Sequence, residues 1–589
     1  MAPQLQYPER ESHRMNSLRT AKRFLFPLLG LWVLLYASFS LIKPPLLDGA
    51  GSVRAEAARE MAVQGGWVVP HVNGAQLLTS SPLLIWSTAA SFKLFGVADW
   101  AARLPLAFYA LALFLLALAL GARLFFNPVA GFYASLILLT SVGFFLFAHL
   151  IYPELLSTLW MTLAIYFFWR SLHHKHASLG TVAGFAIACA LGVLSRGAAG
   201  VVIPILVVVV FLAITRNLIH LLRWHPVEGV ILFLLISLPW YVATHGAYSA
   251  HQNFSIQAVS HNAPFLLVWA FLLLWLMPWC FFSVAALARR PEHAPVYGKQ
   301  MDPSHQARLL LVIWLIVEAL FAIIPPRHEF SVLPALPSLA LLAAGWLAAD
   351  EISPARIGRV FAWVFLVAGV ILAGAAIYFG GSAPWASSGA DIGTLLHLHP
   401  GRHRLFFGHL TDLTHASMGL FRIPLLMAAA ALLAGTILNL IFRLKQKARM
   451  ANCFLGGMMV FMLIAGHIAL NTFSPVVSSA VLAQAIQPEV NQGDLLVVNG
   501  RYIDASALGF YLERPVRLLS ASAKPANGLP AAAFVKPSEL AQQWSGSGRI
   551  FLWTTPETMP SLPGNVYLIA RNGGREIVSN QPNSGGASF

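Results

Sequence analysis

Charge is what this chain has least of. Only 10% of its 589 residues are Asp, Glu, Lys or Arg, whereas soluble domains carry roughly 25%. Too little polar surface remains to cover such a chain in water, which excludes an ordinary soluble globule. Cysteine is nearly absent as well. Cys189, Cys280 and Cys453 fall within or at the edge of apolar runs, with no paired spacing. That excludes a disulfide framework and a cysteine-type zinc site, and leaves buried apolar thiols. Short segments of alternating polarity, the mark of a transmembrane β-barrel, are missing. No short internal repeat supports a solenoid. Acids are the scarcer sign, 23 against 38 basic residues, for a net charge of +15.

What the chain does have is long apolar runs, with 58% hydrophobic residues and a mean hydropathy of +0.69. Segments such as FLFPLLGLWVLLYASFSLI (24–42) and VVIPILVVVVFLAI approach the ~20 residues that cross a hydrocarbon core at 1.5 Å per residue. No water satisfies backbone groups there, so each span must be a helix. The pattern predicts about thirteen spans: 24–42, 104–121, 128–148, 153–170, 178–195, 198–215, 227–244, 263–288, 309–325, 332–348, 360–380, 423–442 and 452–471. The first is too long for a signal-peptide core and is followed by Lys43-Pro44-Pro45 rather than a small-residue cleavage site, so it reads as a span. With residues 1–23 in the cytoplasm and the spans alternating, the cytoplasmic segments hold roughly twice as many Lys and Arg as the external loops before 472. The C-terminal segment 472–589 then lies outside. Basic loops facing an anionic leaflet account for much of the positive charge without a nucleic-acid partner.

A transporter would carry charges or broken helices near the midplane, yet the predicted spans contain almost none. Polar residues gather instead at the predicted external ends: the 43–103 loop, Glu154, Arg196-Gly197, the 245–262 loop with His251 and His261, and Arg327-His328-Glu329. This points to chemistry at the external surface, although such residues also serve as interfacial anchors. In the first loop, Gly51–Met61 reads as an amphipathic helix lying along the membrane. Gly65-Gly66 ends it, and an extended piece turns at Asn73-Gly74. Asp48, just before that helix, read alone is a capping or solvated residue.

Taken in order, AEAAREMAVQGGWVVPHVNG (55–74), SPLLIW (81–86), LFGVADWAARLP (94–105), YPELLSTLWMTLA (152–164), LGVLSRG (191–197), LPWY (238–241), LMPW (276–279) and PPRHEFSVLPALPSLALLAA (325–344) resemble the lipid-carrier-dependent glycosyltransferases of the C-type membrane fold. That group includes the protein O-mannosyltransferases and the bacterial aminoarabinose transferases that modify lipid A. GDLLVVNGRY (493–502) and FYLERPV (510–516) resemble the tail of bacterial members. The resemblance implies a polytopic α-helical protein of that fold in a bacterial inner membrane. It implies a sugar carried on polyprenyl (undecaprenyl) phosphate, a lipid or protein acceptor, and displacement with inversion. It places Asp48 at the first-loop catalytic acid and Glu154 at a second acidic position. Arg196, Arg327 and His328 are the cations for the lipid phosphate, with Arg59 and His261 as further candidates.

Two departures bear on that inference. Relatives carry several acids where this chain has Asp48-Gly49-Ala50-Gly51, and a Glu-Lys pair where it has Thr79-Ser80-Ser81-Pro82. In the aminoarabinose transferases that Glu helps bind a metal and the Lys helps hold the phosphate. Neither metal nor other cofactor is therefore expected here, and the phosphate clamp should be weaker. An active enzyme with a rearranged site and a relative that binds lipid phosphate without turnover both fit, and a transporter is the third alternative.

From about 472 the composition turns to that of a small α/β domain. Helices are expected at 476–485 and 537–544, strands at 494–499, 516–519, 549–553 and 566–569, and a disordered tail at 580–589. The 381–422 stretch holds Trp385, Asp391, His397, His399, His403 and His409. The spacing of the histidines fits no metal site, so it reads as a polar interfacial loop.

Overall fold

The computed structural model describes residues 23–41, 44–78, 81–172, 178–224, 226–249, 264–289, 302–324, 328–385, 391–396, 412–520 and 529–583. Among them, 10 helices are long and apolar enough to span a membrane: Arg23–Leu41, Asp99–Leu124, Glu154–Leu172, Leu179–Arg196, Pro226–His245, Pro303–Ala322, Leu333–Ile352, Arg356–Ser382, Arg422–Leu444 and Ala448–Val477. Each coincides with an expected span.

The other three expected spans are helical, but two are interrupted and one is short. The 128–148 run is two helices, Pro128–Leu139 and Val142–His149, meeting at 55°, and counts as an eleventh span if the pair crosses as one. Ala199–Ile214 has 16 residues, short of the usual ~20. The 263–288 run breaks into Phe265–Leu274 and Cys280–Ala288, with Pro278, which has no amide donor, inside the break. Hydropathy averages over the two interruptions and so reads each broken run as one crossing.

Close backbone approach sets part of the bundle. A Cβ on Gly200 would lie 2.1 Å from the Gly192 carbonyl, so helices Leu179–Arg196 and Ala199–Ile214 touch main chain to main chain, a small-residue contact suited to lipid. At the bundle end away from the first loop, Asp350 pairs with buried Arg443. The Arg443 Nη2 donates to Asn452 Oδ1 (2.6 Å), and Asn452 Nδ2 donates to Tyr133 Oη (3.0 Å). That network ties four helices together, from residues whose charges the sequence places at helix ends.

The first loop forms the helix Ala50–Gln64 and a two-stranded hairpin, β1 (His71–Val72) and β2 (Ala75–Gln76). Asn73 (φ 51°) and Gly74 (φ 79°) make its turn, with positive φ at both central positions as a type I′ turn requires. The expectation of an amphipathic helix with one solvated face is corrected. Every residue from Ser52 to Ala62 is buried, charged ones included, because the C-terminal domain covers the face that would otherwise meet water.

That domain is built on a six-stranded sheet in the order β5-β4-β3-β6-β8-β7. Strands β3 (Leu495–Val498), β4 (Arg517–Leu519), β5 (Phe534–Val535) and β6 (Ile550–Thr554) run parallel, and β7 (Tyr567–Asn572) and β8 (Arg575–Ser579) close it antiparallel. Val497, Val535, Leu540, Trp544, Ile550, Leu552 and Val578 form a core of their own. The expected disorder from residue 580 does not begin there. Asn580 Nδ2 donates to the carbonyls of Trp544 (3.2 Å) and Gly548 (2.8 Å), which fastens the chain beyond β8.

Candidate active site

The first-loop helix locks the entry to Glu154. Arg54 Nη1 donates to the carbonyls of Ala50 (3.3 Å) and Ile151 (3.1 Å), and its guanidinium sits 5.3 Å from the Tyr152 ring centroid. The segment so held runs directly into Glu154, the first residue of Glu154–Leu172. The Glu154 carbonyl accepts from Ser157 Oγ (2.9 Å) and Thr158 Oγ1 (2.6 Å), while its carboxylate Oε2 is buried and makes no hydrogen bond. Arg54 and Arg196 both act on that carboxylate electrostatically.

Arg196 ends the helix Leu179–Arg196, and Gly197 (φ 64°) turns the chain away. Its Nη1 donates to Glu318 Oε2 at 3.0 Å. Nε and Nη2 have no hydrogen-bond partner among the described residues. Tyr152 and His328 complete the group. The Tyr152 hydroxyl is pushed up to about 12, chiefly by burial, with Arg54 opposing and Glu154 and Glu329 adding. His328 stacks on Phe330 (centroids 4.9 Å apart). Burial, and then Arg54, hold its ring below the usual histidine range.

Asp48 is held in a separate joint. Its Oδ1 accepts from the Ala507 amide (2.7 Å), and its Oδ2 accepts from Ser479 Oγ (2.8 Å) and pairs with Arg575 Nη1 (2.6 Å). All three partners come from the C-terminal region. Burial raises its proton affinity, against the pull of Arg575 and the hydrogen bonds. Arg59 is also drawn away from Glu154: its Nε and Nη2 form a fork onto buried Glu56 at 2.8 and 2.6 Å, with Glu60 and Glu513 nearby. Arg327 and His261, like Thr79 and Ser80, lie outside the described residues.

The structure thus brings together Glu154, Arg196 and His328 and adds Arg54, Tyr152 and Glu318, which sequence reasoning passed over. Glu318 had a signal, an acid inside the apolar run LLLVIWLIVEALFA. Arg54 had none, because its role depends on the distant Ile151 carbonyl. Chemically, the group offers one carboxylate oxygen able to take a proton, beside a guanidinium with an open edge for an anion.

The model of the dolichyl-phosphate-mannose-protein mannosyltransferase family matches residues 79–242. An undecaprenyl phosphate-alpha-4-amino-4-deoxy-L-arabinose arabinosyl transferase of Aeromonas hydrophila is 28% identical over 338 residues, covering 54% of this chain and 58% of that protein. Its counterpart in Edwardsiella ictaluri is 27% identical, covering 57% and 61%. The chain therefore matches less than two thirds of the length of these curated relatives. In three dimensions the chain is similar to the crystal structure of ArnT from Cupriavidus metallidurans bound to undecaprenyl phosphate, with TM-score 0.72 at 19% identity, over 95% of this chain and 97% of that one. The apo form of the same protein gives 0.73 at 20% identity. Fold and sequence matches together agree with the ordered motifs: the chain has the C-type membrane fold and is similar in sequence to lipid-carrier-dependent glycosyltransferases.

Proposed function

We propose that this protein moves a sugar from a polyprenyl-phosphate carrier to a lipid acceptor at the periplasmic face of a bacterial inner membrane, with its N-terminus in the cytoplasm and its C-terminal domain in the periplasm. Undecaprenyl phosphate is the carrier named for its relatives. The observation that carries this reading is the buried Oε2 of Glu154, without a hydrogen-bond partner and under the electrostatic influence of both Arg54 and Arg196. An acceptor hydroxyl oxygen attacks the anomeric carbon as its proton passes to Glu154. The bond from that carbon to the phosphate oxygen breaks, and its electron pair stays on the phosphate, whose growing charge Arg196 stabilises. Asp48, held by Arg575, shapes the first loop beside this centre.

The engagement of Asp48 also favours a second reading, a relative that binds the lipid phosphate without turnover. One experiment separates them. Purified protein, Glu154→Gln and Asp48→Asn are each given a labelled undecaprenyl-phosphate sugar and an envelope-lipid extract. Transfer by the wild type, reduced about 100-fold or more in Glu154→Gln with donor still bound, supports the enzyme. Full transfer in Glu154→Gln with loss in Asp48→Asn moves the base to Asp48. Donor binding without transfer by the wild type establishes the second reading.

A further inference from the structure

We infer that Glu318 is a positioning residue for the phosphate-binding guanidinium of Arg196. This deepens, and rests on, the reading of that site as a polyprenyl-phosphate site. Glu318 sits four residues from the end of the helix Pro303–Ala322, among apolar neighbours, with its side chain 2% exposed, while that of Arg196 is 21% exposed. An acid there is unfavourable unless paired, and the only hydrogen bond to its carboxylate among the described residues is the 3.0 Å one from Arg196 Nη1.

Arg196 needs such an anchor. It stands at a helix end where the chain turns at Gly197, and a long basic side chain at that level swings outward toward lipid headgroups. Glu318 draws one corner of the fork inward. The planar guanidinium then keeps its remaining edge, Nε and Nη2, without a hydrogen-bond partner among the described residues, close enough to Glu154 to act on its carboxylate electrostatically. The residue touches no reacting atom and acts through Arg196. A pair that served only to join two helices would fill the fork or bury both partners equally, and neither is the case.

The test measures binding of undecaprenyl phosphate to the full-length detergent-purified protein, alongside its thermal midpoint. Glu318→Ala should weaken binding about tenfold. Glu318→Gln, which keeps an oxygen to accept from Arg196, should restore most of it. Adding Glu318→Ala to Arg196→Gln should weaken binding no further than Arg196→Gln alone, because the anchor has nothing left to hold. Additive losses in the double variant, or wild-type binding in a folded Glu318→Ala, overturn the inference and leave the site reading intact. If Glu318→Ala does not fold, Glu318→Leu, which removes the acceptor while filling the apolar site, takes its place in both comparisons. Failure of the wild type to bind undecaprenyl phosphate overturns both.

Discussion

Asp48 and Glu154 are both acids beside the first-loop helix, and their surroundings divide them. Asp48 has filled its lone pairs with Ala507, Ser479 and Arg575, and Glu154 has an oxygen with none. Removing one member of a buried pair strands the other charge, so Arg575→Ala should destabilise the protein by about 3–5 kcal/mol, read as a lowered thermal midpoint. The pH dependence has a definite sign. The proton affinity of Asp48 is raised above its ordinary 3.8, so between 3.8 and the raised value the folded state binds more protons than the unfolded. Its contribution is present below 3.8 and is lost as pH rises through that window. Arg575→Ala removes a lowering influence and should extend the loss to higher pH, whereas Asp48→Asn should remove it. Superimposable midpoint-versus-pH curves for all three proteins would refute the assignment.

At the scale of elements, the first loop is shaped by hydrogen bonds that cross domains. Asn73 Nδ2 donates to the Val516 carbonyl (2.9 Å) and its Oδ1 accepts the Val516 amide (3.0 Å), imitating one rung of a sheet. The same residue adopts φ 51° in the turn, a conformation that Asn tolerates better than Ala. Asn73→Ala should therefore cost about 2–3 kcal/mol, from two lost bonds, a stranded Val516 and a strained turn. Hydrogen exchange would show faster exchange across Ala50–Gln64. Unchanged protection there would mean the helix holds its place without the C-terminal domain.

For the whole molecule, the C-terminal domain completes the site region and does more than cap it. Tyr511 Oη donates to Asp99 and accepts the Leu46 amide at 2.8 Å, and Ser506 Oγ accepts the Gly49 amide at 2.9 Å. With Asp48, Asn73 and the buried face of the first-loop helix, these bonds make loop and domain one structure. A chain cut after Val477 should still insert its apolar helices, whose backbone bonds are internal, but should lose undecaprenyl-phosphate binding. Retained affinity in that truncated protein would confine the site to the bundle.

The sequence by itself determined the membrane class, the position of the apolar segments, the Asn73-Gly74 turn and the alternation of helix and strand after 472. All of these follow from local periodicity and from the solvent each residue can tolerate. It also placed Glu154 and Arg196 at helix ends on one side of the bundle. Only the tertiary structure decided which charges meet. Arg54 reaches Ile151, Arg196 reaches Glu318, and Asp48 reaches Arg575, partners 97, 122 and 527 residues apart. Pairing over such separations leaves no local pattern, because it is set by how the helices pack and by the burial that makes an unpaired charge unfavourable.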